Sequence, residues 1–173
     1  MAGKATTLQD LLIEQLRDLM YAERQIIKAL PKMARKASSK ELKAAFEEHL
    51  EETEGQVERL EQVFEQFDLG ARGKRCEAMD GIIDEAKSLM EEEAEPPALD
   101  AGLIAAAQKV EHYEIATYGT VATWAKQLGY REAARLLHET LEEEKQADQK
   151  LTSLAEGGIN LEAQPEKVGA GAR

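Results

Sequence analysis

Residues 8–30, LQDLLIEQLRDLMYAERQIIKAL, decide the fold. Leu8, Leu12, Leu16, Leu19, Met20, Ile26, Ile27 and Leu30 recur at steps of three and four, the spacing of one face of an α-helix. One residue breaks that face. Leu16, Glu23 and Leu30 lie a heptad apart and share nearly one column, so Glu23 stands inside the apolar stripe with Leu19, Ile26 and Ile27 around it. A lone carboxylate turned into a helical core costs several kcal/mol unless something compensates it. The segment therefore predicts both a bundle helix and a reason for its interior to be polar.

Working outward, the first helix is predicted over 7–37, with Pro31 placed to kink it or to begin a new turn. A second helix is predicted over 39–67, with Ser39 as its N-cap and Leu42, Phe46, Leu50, Val57, Leu60, Phe64 and Phe67 as its stripe. Gly70 and Gly73 mark a break. A shorter helix over 77–92 carries Met79, Ile82, Ile83, Ala86 and Met90, and Pro96-Pro97 close that region. The third long helix is predicted over 98–128, stopped by Gly129, and the fourth over 131–155, stopped by Gly157-Gly158.

Two tight turns and one connection of about thirty residues describe two antiparallel hairpins joined by a long crossover, the ferritin-like form of the four-helix bundle. The fold class is thus all-α, a ferritin-like four-helix bundle with a short extra helix in the crossover. The same connectivity also suits a bundle with an inserted surface helix and no site. Residues 1–156 form the predicted helical domain, and 157–173 a disordered tail rich in Gly and Ala. A faint repeat links HLEETEGQVERL (49–60) in the second helix to TLEEEKQADQKL (140–151) in the fourth.

Composition supports this class. Acidic residues outnumber basic ones 34 to 22, for a net charge of −12, and aromatic residues make up only 5%. Such a balance excludes a general nucleic-acid binder, which needs clustered Lys and Arg, and disfavours an anionic membrane surface. No apolar run is long enough to span a bilayer, and MAGKATTLQD lacks the apolar core of a secretory signal. The single cysteine, Cys76, makes no internal disulfide and reads as structural, so a reducing cytoplasm is the expected compartment.

The functional signal is polarity in apolar phase on every long helix. Glu23 has counterparts in Glu114, between Val110 and Val121, and in Glu144, among Leu137, Leu141 and Leu151. Asp148 follows Glu144 at i+4 on the same face. In the second helix His49 falls between Phe46 and Leu60, with Thr53 and Gln56 beside it. Glu52, Glu111 and Glu143 sit at stripe edges. Each alone reads as an ordinary satisfied or solvated group. Their coincidence across four helices, with no Lys or Arg at the centre of any stripe, points to a shared divalent cation, since like charges cannot all stay ionised unaided in a dry core. Carboxylates with an imidazole suit iron or manganese, and two ions can share bridging carboxylates. His112 and His138 fall on polar flanks and are expected at the surface. Tyr21, Tyr113 and Tyr118 lie near the site in phase, where packing is the simpler role.

The strings AERQ (22–25), HLEETEGQ (49–56), KRCEAMDGII (74–83), DAGLIAAAQKVEHYEIATYGT (100–120) and ETLEEEKQAD (139–148) resemble the YciF/YciE-like bacterial stress protein family. The resemblance spans about 8–155 and implies a rubrerythrin-type bundle, a di-metal centre of two iron or manganese ions, a homodimer and a role in stress. It marks Glu23, His49, Glu52, Glu111, Glu114, Glu144 and Asp148 as the metal positions. One departure is visible: the usual Glu-x-x-His is replaced by His49-x-x-Glu52, in reverse order, with no histidine partner in the fourth helix. The leading expectation is a di-metal protein handling hydrogen peroxide or oxygen. Glu23 and Glu114 would be terminal ligands, Glu52 and Glu144 would bridge or cap, and His49 and Asp148 would complete the shell. The alternatives are iron oxidation and storage in a cage, or a non-enzymatic acidic dimer with a vestigial site.

Overall fold

The computed structural model describes residues 6–92 and 94–165. Its helices are α1 (Leu8–Lys36), α2 (Lys40–Glu65), α3 (Glu77–Glu91), α4 (Pro96–Gln127) and α5 (Arg131–Leu154). A π-helical turn, Ala155–Ile159, and the three-residue α6, Asn160–Glu162, follow. No strand occurs among the described residues.

Helix ends follow local chemistry. Thr7 and Asp10 form a reciprocal capping box at the start of α1. The Ser39 hydroxyl accepts from the Leu42 amide at 3.2 Å, as its position predicts. Gly129, at φ 88°, ends α4 in the left-handed region, and the Tyr130 amide donates back to the Ala125 carbonyl at 2.9 Å. α1 runs unbroken through Pro31. Pro96 and Pro97 do not close the preceding segment; they open α4, where a missing amide proton leaves no carbonyl unserved.

α1 packs on α2 and on α4, and α5 on α2 and on α4, so the four long helices form a square. Cross-links fix the directions. Tyr118 meets Glu23 while Asp100 meets Ser38, so α4 runs antiparallel to α1. Arg59 meets Thr140 while Lys150 meets Glu48, so α5 runs antiparallel to α2. The crossover lies against α1, where the Lys74 amide donates to the Arg17 carbonyl at 3.0 Å. A Cβ at Gly73 would come within 2.9 Å of the Tyr21 backbone nitrogen, so glycine is what permits this close approach. α3 covers the bundle, burying Met79, Ile83, Ala86 and Met90 against α1 and α4.

The apolar interior divides into two. One half gathers Ile26, Leu30, Phe46, Leu103 and Leu151 with the face of α3. The other gathers Leu12, Leu16, Leu19, Leu60, Phe64, Val121 and Leu137. Between them lies a polar layer. The path breaks at Gly158, whose φ of 171° and ψ of −41° are not helical, where the sequence places the stop of the last long helix, and beyond it Ile159 is buried in the first apolar half. An apolar side chain with a groove to fill holds the segment down where composition alone suggested release. The rest of the predicted tail, 166–173, lies outside the described residues.

Candidate metal centre

Four acids and an imidazole are legible from helical phase, but phase does not say at what height along the bundle each one stands. The structure supplies the heights. His49 of α2, Glu111 and Glu114 of α4 and Glu144 of α5 each offer a ligand atom, and these atoms all lie within 4.8 Å of one another. All four side chains are buried, Glu144 completely. His49 Nε2 stands 3.4 Å from Glu111 Oε1 and 3.8 Å from Glu144 Oε2. Glu111, a stripe-edge residue by phase, is 2% exposed, with the side chains of His49 and Glu144 against it.

The remaining predicted positions lie around this group, Glu23 with its carboxylate against that of Glu114. Glu23 is fully buried, and its Oε1 accepts the hydroxyl proton of Tyr118. Glu52 is 40% exposed and holds His49 from outside, its Oε2 lying 3.3 Å from Nδ1. A carboxylate can only accept, so in the neutral ring this contact places the proton on Nδ1 and leaves the Nε2 lone pair facing the cluster. Asp148 is occupied elsewhere: Gln108 Nε2 donates to its Oδ1 at 3.0 Å, and the exposed His112 lies 3.3 Å from it. Glu143 is taken by Arg59, whose two terminal nitrogens each reach one of its oxygens at 2.8 Å.

Three neighbours carry more than their sequence positions suggest. Gln56 Nε2 donates to Glu143 Oε2 at 3.1 Å and to Glu144 Oε1. Tyr118, one of three tyrosines near the site in phase, is the one that reaches a predicted metal position, Glu23. Tyr21 donates instead to Asp80 at 2.7 Å, and Tyr113 lies 3.2 Å from Cys76 Sγ. Asp100 escaped the sequence reading. It is buried and accepts from the Ser38 amide at 2.8 Å, the Ser38 hydroxyl at 2.6 Å and the Ser39 amide at 2.8 Å, tying the α1–α2 turn to the start of α4. Its signal was available in principle, since it sits three residues before Leu103 in the α4 stripe. The partner, a turn sixty residues earlier, was not visible to periodicity. His112 and His138 stand at the surface, as expected.

The electrostatics are those of acids without enough counter-charge. Burial, then the Glu144 charge, pushes Glu23 up to about 8, although Tyr118 acts in the opposite sense. Burial followed by the Glu144 carboxylate raises Glu111 well above the ordinary range. Burial with the charges of Glu23, Glu144 and Glu111 does the same to Glu114. For His49, burial favours the neutral ring, but the contact with Glu52 and the charges of Glu144 and Glu23 outweigh it, and its pKa rises. His49 Nε2, Glu111 Oε2, Glu144 Oε2 and both oxygens of Glu114 are buried without a hydrogen-bond partner. Buried polar atoms are rarely left so, and each orphan costs about 1–3 kcal/mol. Five orphaned donor atoms aimed into one dry volume, all of them good ligands for a borderline or hard divalent ion, fit a metal.

A pocket of about 130 Å³ leads to this point between α2 and α5, with His49 and Glu111 on its floor and Glu48, Gln146 and Lys150 on its rim. It is wide enough for a few molecules of the size of water.

Comparison with known proteins places this geometry. Residues 7–164 match the family model described as a domain of unknown function, DUF892. The chain is 53% identical over 159 residues to Protein YciF of Escherichia coli (strain K12), covering 91% of this chain and 96% of that one. The crystal structure of the E. coli stress protein YciF superposes with a TM-score of 0.87 over 90% of this chain and 99% of that chain. YcfI from Rhodopseudomonas palustris matches with a TM-score of 0.86 at 46% identity, over 88% of this chain and 98% of that one. A two-domain protein of Anabaena variabilis with DJ-1/ThiJ/PfpI-like and ferritin-like domains matches at 21% identity with a TM-score of 0.60, over 98% of this chain and 43% of its own. The last is a likeness of fold, and the fold is ferritin-like.

Proposed function

The chain belongs to the DUF892 family, with YciF-like stress proteins as its relatives, and from that premise we propose that it is a metal-dependent protein handling peroxide or dioxygen. One observation carries the reading: His49, Glu111, Glu114 and Glu144, from three different helices, each offer a ligand atom within 4.8 Å of the others, and each has at least one buried atom without a hydrogen-bond partner. The mixed imidazole and carboxylate set suits iron or manganese. When bound, such an ion supplies Lewis acidity and reversible one-electron chemistry.

The protein's own groups do the rest. Glu52 orients the His49 ring. The apolar halves on either side exclude bulk water, which strengthens every charge interaction between them. The pocket over His49 and Glu111, of about 130 Å³, has room for a small oxidant.

The test is metal analysis of protein purified without chelator and loaded anaerobically with Fe(II) or Mn(II), coupled to an assay of peroxide consumption. Metal retention and metal-dependent peroxide loss are expected for the wild type, and loss of both for His49→Ala. A folded wild type that retains neither metal above background overturns the proposal.

A further inference from the structure

We infer that the core cluster takes a single metal ion, because the place of a second is filled by two hydrogen-bond donors, the Gln56 amide and the Tyr118 phenol. The inference rests on the metal reading above and concerns how many ions that site accepts.

Glu144 shows the division. Its Oε2 faces His49 at 3.8 Å and has no hydrogen-bond partner, whereas its Oε1 accepts from Gln56 Nε2. One oxygen is free for a cation and the other already has a proton donor. Gln56 is fully buried, and its orientation is dictated by chemistry: a rotated amide would set its oxygen against the carboxylates of Glu143 and Glu144, both pure acceptors when ionised. Glu23 repeats the pattern, since its Oε1 accepts from Tyr118, which is also fully buried. The open atoms of the layer are His49 Nε2, Glu111 Oε2, both oxygens of Glu114, and one oxygen each of Glu144, Glu23 and Gln56. The other oxygens of Glu144 and Glu23 are capped by the Gln56 N–H and the Tyr118 O–H, which stand where a second cation would have to bind them.

The repeat between the hairpins gives the same answer independently. Aligning Leu50-Glu51-Glu52-Thr53 with Leu141-Glu142-Glu143-Glu144 sets Thr53 opposite Glu144 and Gln56 opposite Ala147. A paired site needs a Glu-x-x-His from each of these helices. α2 offers Thr53-x-x-Gln56 in that register, both residues completely buried, and α5 offers Glu144-x-x-Ala147. The Thr53 hydroxyl is spent on the His49 carbonyl at 2.7 Å. The one histidine comes from a turn earlier on α2, so the metal set is displaced towards Glu111 and away from the repeat's symmetric position.

The experiment counts ions on the full chain. Metal-free wild type is titrated with Mn(II), bound metal is measured after desalting, and the electron paramagnetic resonance spectrum is recorded. One Mn per chain with an uncoupled, hyperfine-split spectrum is expected. Two Mn per chain with an exchange-coupled spectrum overturns the inference and leaves the metal reading standing. No bound Mn or Fe overturns both. A second measurement uses Thr53→Glu with Gln56→His and Tyr118→Phe, which restores the paired motif on α2 and removes the phenol from Glu23. If it keeps its helical circular dichroism, it is expected to take up a second Mn and show coupling. A folded variant that still binds one overturns the assignment of Gln56 and Tyr118 as the excluding groups. If it does not fold, the wild-type count still decides.

Discussion

The phenol of Tyr118 on α4 donates its hydrogen bond to Oε1 of Glu23 on α1, and both side chains are completely buried. The contact joins two helices from different hairpins at the level where the core changes from apolar to acidic. Tyr118→Phe removes the donor and leaves that oxygen orphaned. A loss of about 1–3 kcal/mol of unfolding free energy is expected, with helical content unchanged, as read by urea denaturation. Metal retention should survive, since Tyr118 offers nothing to the His49 end. Unchanged stability would show that the contact carries no weight.

Glu114 has two buried oxygens and no hydrogen-bond partner for either. In metal-free protein it is a liability, so Glu114→Leu should stabilise that form by about 1–3 kcal/mol, the size of one orphaned group. The same change removes a ligand. The rise in melting temperature that Mn(II) gives the wild type by mass action should then shrink or vanish. Calorimetry with and without Mn(II) checks both halves, and a variant that is less stable without metal counts against the reading of Glu114 as uncompensated.

Stability should depend on pH in an unusual direction. Glu23 titrates near 8 in the folded chain against 4.5 for an unperturbed glutamate, and Glu111 and Glu114 are raised as well. Between those values the folded state holds protons that the unfolded state has lost, so unfolding free energy falls as pH rises, by about 1.4 kcal/mol per pH unit for each such proton. His49 acts in the same sense: its raised pKa contributes stability that is complete below 6.5 and is lost as pH climbs through the folded value. Metal-free protein should therefore melt lower at pH 8 than at pH 5 (about those values), and saturating Mn(II) should flatten or reverse the trend, because the ion takes the place of the protons. A metal-free melting temperature that climbs over this range would contradict the acid layer.

Asp100 holds Ser38 and Ser39 through three hydrogen bonds of 2.6–2.8 Å. Asp100→Ala orphans two backbone amides at once and should cost about 2–4 kcal/mol. The Mn count per chain should stay as in the wild type, since the turn lies at the end of the bundle away from the polar layer. Equilibrium denaturation together with metal analysis separates the two effects.

Much of this protein is written in its local chemistry. The five main helices, the Ser39 cap, the Gly129 stop and the core phase of Glu23, Glu114 and Glu144 follow from spacing, because an α-helix turns every residue by a constant angle and periodicity therefore reports direction. Direction is not height. Which acids meet depends on how four helices slide along one another, and only tertiary packing brings Glu111 into the layer, leaves Glu52 at its rim and diverts Asp148 to Gln108. Nor does spacing reveal partners far away in the chain. Asp100 under the α1–α2 turn, Gln56 beneath Glu144 and Tyr118 against Glu23 are each made by two segments that meet only once the hairpins close, and those contacts decide what the acidic layer can hold.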